Sequence, residues 1–564
     1  MKTAFYIIMI FPCLIKGQQV LNNKTVHLRD GVKQEWSIFP VHAGKSQLNV
    51  SFRAKDTVGE KVLSITQSDV NHPWNVILND HILGTLVIDE KKMVTYYKLT
   101  PGFLKENDNT LVIRPEAENN EHPDDILAGN IILINSAIDE LLTEASLNIH
   151  TGIPSRLTIL NEEKSLQPIH ASPGDTLAIR SGLIYSGTGN FSFSLPAGKY
   201  KIYASRGFEY GVDSATINIK QGEYLNQSFL IDHEVKLQGW VSCDTHVHTL
   251  EYSGHGDATM KERILTIAGE GLDYAVITEH NKVVDIVDSI KKMKMEKWFS
   301  PIAGDELTTK VGHFNIFPSF DAPSPEVKNW NEVIQTLSNG SGKKIIVLNH
   351  ARDLHNGFRP SDTIFKVAPE QFPANAMEVM NSGSQQTEPR RLYLDWMALM
   401  SRGIILTPVG SSDSHDVGRF IVGQARTYVR SDDDLISNFL LGRVGVSFGL
   451  FTELKVDTNS TGKKKTVTIQ VHCPSWIRPG KVMLFANGKK IYTSSISHNE
   501  KSVNNIFTRK TTIPKYPQET ILVAVAEGPD PVVPWWPVAK PYQHTSPEVN
   551  PIVLGITGPL MVSP

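Results

Sequence analysis

Apolar positions along this chain change rhythm three times. From about residue 20 to 140 they fall in short runs: Trp74-Asn-Val-Ile-Leu, Thr85-Leu-Val-Ile, Thr95-Tyr-Tyr-Lys-Leu, Thr110-Leu-Val-Ile and Asn130-Ile-Ile-Leu-Ile, parted by Asn, Asp, Gly and Pro. Such runs predict β-strands joined by tight turns. Residues 141–238 continue in that texture, and Asn190-Phe-Ser-Phe-Ser-Leu-Pro-Ala-Gly-Lys-Tyr-Lys-Ile-Tyr-Ala reads as strand, turn, strand. From Gly239 strand-like runs alternate with helical patterns: Met260 to Leu272, a helix beginning near Val333 to Leu337, Arg390 to Arg402, and Leu435 to Leu441. Alternation of this kind predicts a parallel α/β unit, and its length suits a barrel. After about residue 455 the β texture returns. Thr466-Val-Thr-Ile-Gln-Val-His alternates, and Val482 to Tyr492 reads as a hairpin turned at Asn487-Gly488. The tail, with Pro529-Asp-Pro-Val-Val-Pro-Trp-Trp-Pro, is predicted to wrap over a neighbouring unit, since proline prevents regular pairing.

Length and charge narrow the picture. A chain of 564 residues is too long for one domain. Hydrophobic content of 40% and charged content of 20% are ordinary for globular protein. A net charge of −3 gives no reason to expect a nucleic acid partner or an anionic membrane surface. The start is distinctive: Met1-Lys2, then a nearly all-apolar run from Thr3 to Ile15, broken by Lys16-Gly17. This predicts a secretory signal peptide over residues 1–17, and the run is too short to span a bilayer comfortably. The protein is therefore expected to be secreted or periplasmic, with no transmembrane span. Of the three cysteines, Cys13 would leave with the signal peptide. Cys243 and Cys473 either pair or, as Cys243 suggests by its place, pack as small buried hydrophobes.

The chemistry concentrates between residues 239 and 455. His246 and His248, two apart in Asp244-Thr-His-Val-His, point the same way in a strand and can converge on one ion. Later apolar runs also end in ligand-type residues. Asp273-Tyr-Ala-Val-Ile-Thr leads to Glu279-His280, Pro301-Ile-Ala-Gly-Asp to Glu306, and Lys344-Ile-Ile-Val-Leu-Asn to His350. Ala376-Met-Glu378-Val-Met leads to Asn381, and Ile404 to Ser412 precedes Asp413-Ser-His415. In a parallel barrel such strand ends share one rim.

The segments "DTHVHT", "YAVITEHN", "GDELTT..GHFNIFP", "VLNHARD" and "GSSDSH", in this order, resemble the PHP (polymerase and histidinol phosphatase) family of metallohydrolases. "GDELTT..GHFN" and "LLGRVGVSFG" look most like its exported CehA/McbA-type branch. The resemblance implies a distorted (β/α)7 barrel over 239–455 holding two or three divalent ions. It carries metal ligation onto His246, His248, His280, Glu306, His350, Asp413 and His415. Two positions stay open: His255 or Asp257 as the ligand after the first pair, and Glu378 or Asn381 where many relatives offer a His. Imidazole with carboxylate suits Zn, Mn or Fe. His313, Glu279 and Asp244 are the catalytic candidates: His313 or His255 as proton donor, Glu279 as shuttle or salt-bridge partner, Asp244 as orienter of a ligand. Arg352 either holds an anionic group or pairs with Asp353 or Glu378, and Asn381 is a further substrate-side candidate.

The flanks carry weaker resemblances. "VILNDHILGTL" and "DDILAGNIILI" resemble galactose-binding-like β-sandwiches over 18–140, and "FSLPAGKYKIYASRG" resembles prealbumin-like or carboxypeptidase-regulatory-like modules over 141–238. A carbohydrate ligand for the first module and a plain docking role are both open. Residues 456–564 complete the chain as a small β region with its wrapping tail. The expected function is an exported hydrolase using a metal-bridging hydroxide on a phosphoester, in a small-molecule or glycan-linked substrate. Few Lys or Arg residues accompany the motifs, fewer than a dedicated phosphate pocket should show. A carbamate or aryl ester on the same site is the alternative, and a glycan-binding or surface protein with a silent barrel is the contrasting reading.

Overall fold

The computed structural model describes residues 17–564 except 43, 55–57, 173, 339–342, 458–463 and 542–545. The expected signal peptide and Cys13 lie outside the described residues, save Gly17.

The N-terminal region is two four-stranded antiparallel sheets. One orders Gln18–Arg29, Asp125–Ile134, Lys61–Ser68 and Met93–Leu99; the other orders Leu48–Arg53, Asp108–Pro115, Trp74–Leu78 and His81–Thr85. Leu63, Ile65 and Ile126 from the first meet Trp74, Val76, Leu111 and Ile113 from the second in one apolar core. The strand expected at Thr85 to Ile88 ends instead at Thr85. Asn79 and Asp80 turn the hairpin with φ of 47° and 72°, so the returning strand starts early at His81. Beyond it, the Gln67 side chain takes both backbone groups of Val87, its amide accepting the N–H at 3.0 Å and donating to the C=O at 2.6 Å.

The second region packs a five-stranded sheet on a three-stranded one. Asn190–Leu195 pairs with Ala145–His150, whereas Gly198–Ser205 pairs with Ser155–Asn161 and Asp213–Ile219. The two strands read in sequence as consecutive thus belong to opposite sheets, joined across the edge by Pro196-Ala197.

The third region arranges its strands as a ring. Trp240–Val247, Tyr274–Ile277 and Ser300–Ala303 are parallel neighbours. Ile345–Leu348, Ala376–Asn381 and Thr407–Ser411 form a second parallel set. Asp305–Thr309 and Gly312–Phe317 form an antiparallel hairpin that joins the sets, and a parallel bridge from Val247 to Ser414 meets on the other side. At one end Cys243, Val276, Phe317, Val347, Ala376 and Val409 pack together. The regular strand–helix alternation expected of a (β/α)7 barrel is broken here, because the hairpin replaces one strand–helix–strand unit. The helices are also short. Met260–Gly269 is started by a reciprocal cap between Thr259 and Glu262 and buried through Ile264, Leu265, Ile267 and Ala268.

The C-terminal strands are an extension of this region. Arg426–Arg430 and Val444–Phe448 continue the sheet from Trp240–Val247 into Ile552–Thr557, Thr520–Pro529, Lys481–Ala486 and Lys489–Ser495, ten strands in all. A three-stranded sheet of Phe451–Val456, Lys464–His472 and Ile506–Pro514 packs on it through Val467, Ile469, Leu484 and Leu522. The Asn487-Gly488 turn has the expected left-handed backbone, and a Cβ on Gly488 would lie 2.1 Å from the Met397 carbonyl oxygen. The proline-rich tail lies against the third region: the Pro537 carbonyl accepts from Gln424 at 3.0 Å, and Ala539 N–H donates to Gln386 at 2.8 Å. Cys243 and Cys473 are buried free thiols. Among the described residues no helix is long and apolar enough to cross a membrane.

Candidate metal centre

At the end of the strand ring opposite its apolar core, imidazoles and carboxylates converge. His246 lies in the strand Trp240–Val247 and His248 follows it. Backbone bonds from Asp413 N–H to the His246 carbonyl (2.9 Å) and from His248 N–H to the Ser414 carbonyl (3.1 Å) bring the first and last motifs together. Asp413 holds φ at 52°, a costly conformation for a residue other than glycine and one that collects at functional sites.

Candidate ligand atoms form four overlapping sets: His246, His350 and Asp413; His246, His248 and Glu306; His248, His280 and His415; and Glu306, His313 and His350. Glu306 Oε1 lies 3.2 Å from His246 Nε2 and 3.5 Å from His350 Nε2, and Oε2 lies 3.5 Å from His248 Nε2. Asp413 Oδ1 lies 3.3 Å from His246 Nε2 and 3.4 Å from His248 Nε2. Metal–ligand bonds of 2.0–2.1 Å in a tetrahedral site leave ligand atoms about 3.4 Å apart. Most of these separations are at that value, longer than a good hydrogen bond. His246 Nε2, both ring nitrogens of His248 and His415 Nε2 are buried without a hydrogen-bond partner. Buried polar atoms normally have one. Orphaned, convergent and suitably spaced, these atoms fit a divalent metal.

Electrostatics agree. Burial opposes charge on every group, yet His246 and His313 draw the Glu306 carboxyl well below the usual carboxylate range, and His246 and His248 do the same to Asp413. Burial lowers His246, but Asp413, Glu306 and Glu378 outweigh it and hold the imidazole well above its ordinary value. His248, dominated by burial, is pushed down to about 4. The centre concentrates carboxylate charge among imidazoles.

Several predicted residues have other tasks. Glu378 stands behind the ligands: Oε1 accepts from His246 Nδ1 at 2.8 Å, which aims Nε2 inward, and Oε2 accepts from the His350 N–H at 2.5 Å. Asn381 is fully buried, donates to Glu378 at 2.9 Å and to Asp413 at 3.4 Å, and accepts from Gly383 and Ser384 N–H, so its polar atoms are spent on protein partners. Asp244 accepts from the N–H groups of His246, Ser412 and Gly423 and is fully buried, so it ties the first and last motifs together through the backbone. Glu279 is likewise buried, accepting twice from Thr249 (2.9 and 2.6 Å) with Oε2 3.9 Å from His248 Nδ1; burial lifts its carboxyl to about 7. Arg352 spends its fork on Asp395 (2.7 and 2.9 Å), not on Asp353 or Glu378. His255 Nε2 is 3.2 Å from His280 Nε2 and its ring stands 4.2 Å from His415, at the edge of the ligand sets. Asp257 turns away to Arg180 at 2.7 Å and Val417 N–H at 2.7 Å.

Other residues at the centre escaped the sequence reading. His355 packs its ring 4.1 Å from His313, and burial drives its imidazole down to about 2. It follows His350 by five positions in a loop without periodicity. Two clefts meet the centre. One, of about 590 Å³, is lined by His122, Arg352, Arg359, Ser384, Asp413 and His415. The other, of about 740 Å³, is lined by Lys310, Lys328, His313 and His355 among others. The scarcity of cations inferred from the motifs is thus corrected: Arg359 and Lys328 come from loops between them, and Lys310 from the turn within GDELTT..GHFN.

No curated protein matches the sequence. Among solved structures, the chain is similar to Endonuclease Q in complex with a 27-mer duplex bearing an abasic lesion, at 12% identity and a TM-score of 0.24, over 36% of this chain and 55% of that one. The chain thus spans about half the length of that neighbour. It is similar to an FMN-binding β-glucuronidase from Facaelibacterium prausnitzii L2-6 (10% identity, TM-score 0.18, 90% of this chain and 96% of that one). It is also similar to a Bacteroides uniformis β-glucuronidase (10%, 0.20, 97% and 80%). Likenesses this slight carry no argument. The family comparison does: the PHP domain matches residues 244–387, the stretch that supplies His246, His248, His280, Glu306, His313 and His350. The chain therefore contains a PHP domain, the fold of metal-dependent hydrolases, at residues 244–387.

Proposed function

We propose that this protein is a multinuclear metal-dependent phosphoesterase whose catalytic unit is the strand ring, read as the distorted barrel of the CehA/McbA-type branch. One observation carries the reading: buried imidazole nitrogens without partners surround Glu306 and Asp413 at coordination spacing. A silent site has no physical reason to keep them, because each unsatisfied buried polar atom costs about 1–3 kcal/mol.

In this reading His246, His350 and Asp413 would hold one ion, and His248, His280 and His415 a second with His255 beside them. Glu306, His313 and His350 form the third set, with Glu306 bridging. Bound divalent ions supply Lewis acidity, lowering the pKa of water and offsetting charge that develops on the ester. The protein's own groups do the rest. Glu378 fixes the tautomer and direction of His246. Arg359, anchored through Nε to the Arg352 carbonyl at 2.9 Å, places positive charge at the mouth of the smaller cleft, and Lys310 and Lys328 do so in the larger. These cations favour a phosphoester over an uncharged carbamate or aryl ester.

The test is metal analysis of the purified protein with a panel of phosphomonoesters, phosphodiesters, aryl esters and carbamates. Bound transition metal and turnover of a phosphoester, abolished in His246→Ala with Asp413→Ala, is the expected result. Absence of metal, or activity unchanged in that double variant, overturns it. Turnover of carbamates or carboxyl esters alone overturns the substrate class.

A further inference from the structure

His415 belongs to a ligand set but sits on an irregular loop that runs from Ser412 to Phe420. Loop backbone is costly to order, so something must fix it. Two arginines approach it from other elements, and a third, Arg419, reaches out from the loop itself. Arg263, fully buried on the helix Met260–Gly269, donates to the carbonyls of His248 and Ser414, both at 2.9 Å, and to Ser414 Oγ at 2.8 Å. Arg180 comes from the second β region. It holds Asp257 at 2.7 Å, and Asp257 Oδ1 accepts from Val417 N–H at 2.7 Å. The N–H groups of Asp257 and Ala258 then donate to the His415 carbonyl at 3.2 and 3.1 Å.

The third contact leaves the catalytic region. Arg419 reaches into the N-terminal sandwich, where Nε meets both oxygens of Glu90 (3.0 and 3.1 Å) and Nη2 meets Oε1 at 2.7 Å. Nη2 also donates to Asn71 Oδ1. Next to Glu90, Lys91 Nζ donates to the Gly418 carbonyl at 2.9 Å. The Glu90 side chain is only 3% exposed, so the pair is shielded from salt and water. A two-point fork of this kind fixes orientation as well as distance. The same sandwich sets His122 in the wall of the cleft that holds Asp413 and His415.

We propose that the N-terminal sandwich is a working part of the metal centre: Glu90, gripping Arg419, positions the loop that presents His415, and Arg180 acting through Asp257 braces it from the second sandwich. The inference rests on the metal-centre reading. It makes Glu90, Arg419, Arg180 and Asp257 positioning residues, and it gives the flanking sandwiches a task within catalysis rather than glycan capture.

The test uses the full-length chain, stripped of metal and titrated with Zn²⁺, as wild type and as Glu90→Gln and Arg419→Gln. Each variant should bind one ion more weakly by roughly 10–100-fold, the range for losing a residue that orients a ligand, while the remaining ions bind as in wild type. In metal-free protein, amide exchange should accelerate over residues 413–420 with the sandwich core unchanged. The double variant Glu90→Gln with Arg419→Gln removes both buried charges together and leaves neither unpaired, so it decides the matter if a single variant does not fold. Folded variants that take up the wild-type number of ions at wild-type affinity, with unchanged exchange, overturn the inference alone. A wild-type chain that takes up no ion overturns the metal-centre reading, and this one with it.

Discussion

Two buried clusters of carboxylates and histidines can be compared directly. In the N-terminal sandwich, Asp30, Glu35, Asp124 and Asp125 are nearly inaccessible and crowd together much as Glu306, Glu378 and Asp413 do in the metal centre. Every one of the four is answered by protein donors. Asp125 accepts from Arg29 Nε at 2.6 Å and Glu35 N–H at 2.7 Å. Asp124 accepts from Asn71 and His72 N–H and from Trp74 Nε1 at 2.9 Å. Asp30 accepts from Asp124 N–H at 2.7 Å, and Glu35 from Asn71 Nδ2 at 2.8 Å. None of their oxygens is left without a partner, whereas the metal centre retains orphaned nitrogens on His246, His248 and His415. Ligand-type composition is therefore not what marks a metal site. The mark is unsatisfied atoms at coordination spacing, because a saturated cluster has nothing left to offer an ion.

The largest effect should come from emptying the unsatisfied cluster. His246→Ala with Asp413→Ala removes atoms from several ligand sets. Turnover should fall at least ~10³-fold, since one lost charge-stabilising donor can already cost that much. Metal content should fall with it, read by elemental analysis.

Striking the saturated cluster should do the opposite. Asp124→Ala leaves three N–H groups without their acceptor and should cost about 3 kcal/mol of stability in a denaturant melt. Its metal stoichiometry should match wild type. A folded Asp124→Ala protein that has lost an ion would erase the distinction between the clusters.

Glu378→Gln sharpens the comparison from within the metal centre, because Glu378 is a satisfied carboxylate placed behind an unsatisfied histidine. Zn²⁺ affinity should drop roughly 10–100-fold in a chelator competition, with little change in melting of the metal-free protein. The smallest effect is expected from offering the saturated cluster an ion. In the His246→Ala, Asp413→Ala background, millimolar Ca²⁺ should move the melting midpoint by less than about 1 °C, since only an ion bound to the native state would raise it. A clear rise would show that the sandwich carboxylates hold a cation after all.

The same contrast separates what local sequence encodes from what it does not. His246 and His248 were legible because a strand makes i and i+2 neighbours, a rule confined to eight residues of chain. Glu306, His350 and Asp413 were legible because each follows an apolar run that had to become a strand. Strands such as Thr466 to His472 and the Asn487-Gly488 turn follow from alternation and from left-handed backbone preference. His355, His122 and Arg359 carry no such signal. They lie in irregular loops: His355 and Arg359 reach the centre through the path of the loop after Ile345–Leu348, and His122 only through the docking of the N-terminal sandwich.

The sequence by itself determined which residue types were available to bind metal and which strands would carry them, because periodicity and strand-end position are local properties of the chain. Only the tertiary structure decided which of those residues were free to do so. Asp257 went to Arg180, Glu378 went behind His246, and the C-terminal strands joined the catalytic sheet instead of standing apart. The physical reason is the same each time. Whether a buried carboxylate or imidazole is satisfied depends on donors and acceptors that lie tens to hundreds of residues away, and no local pattern records them.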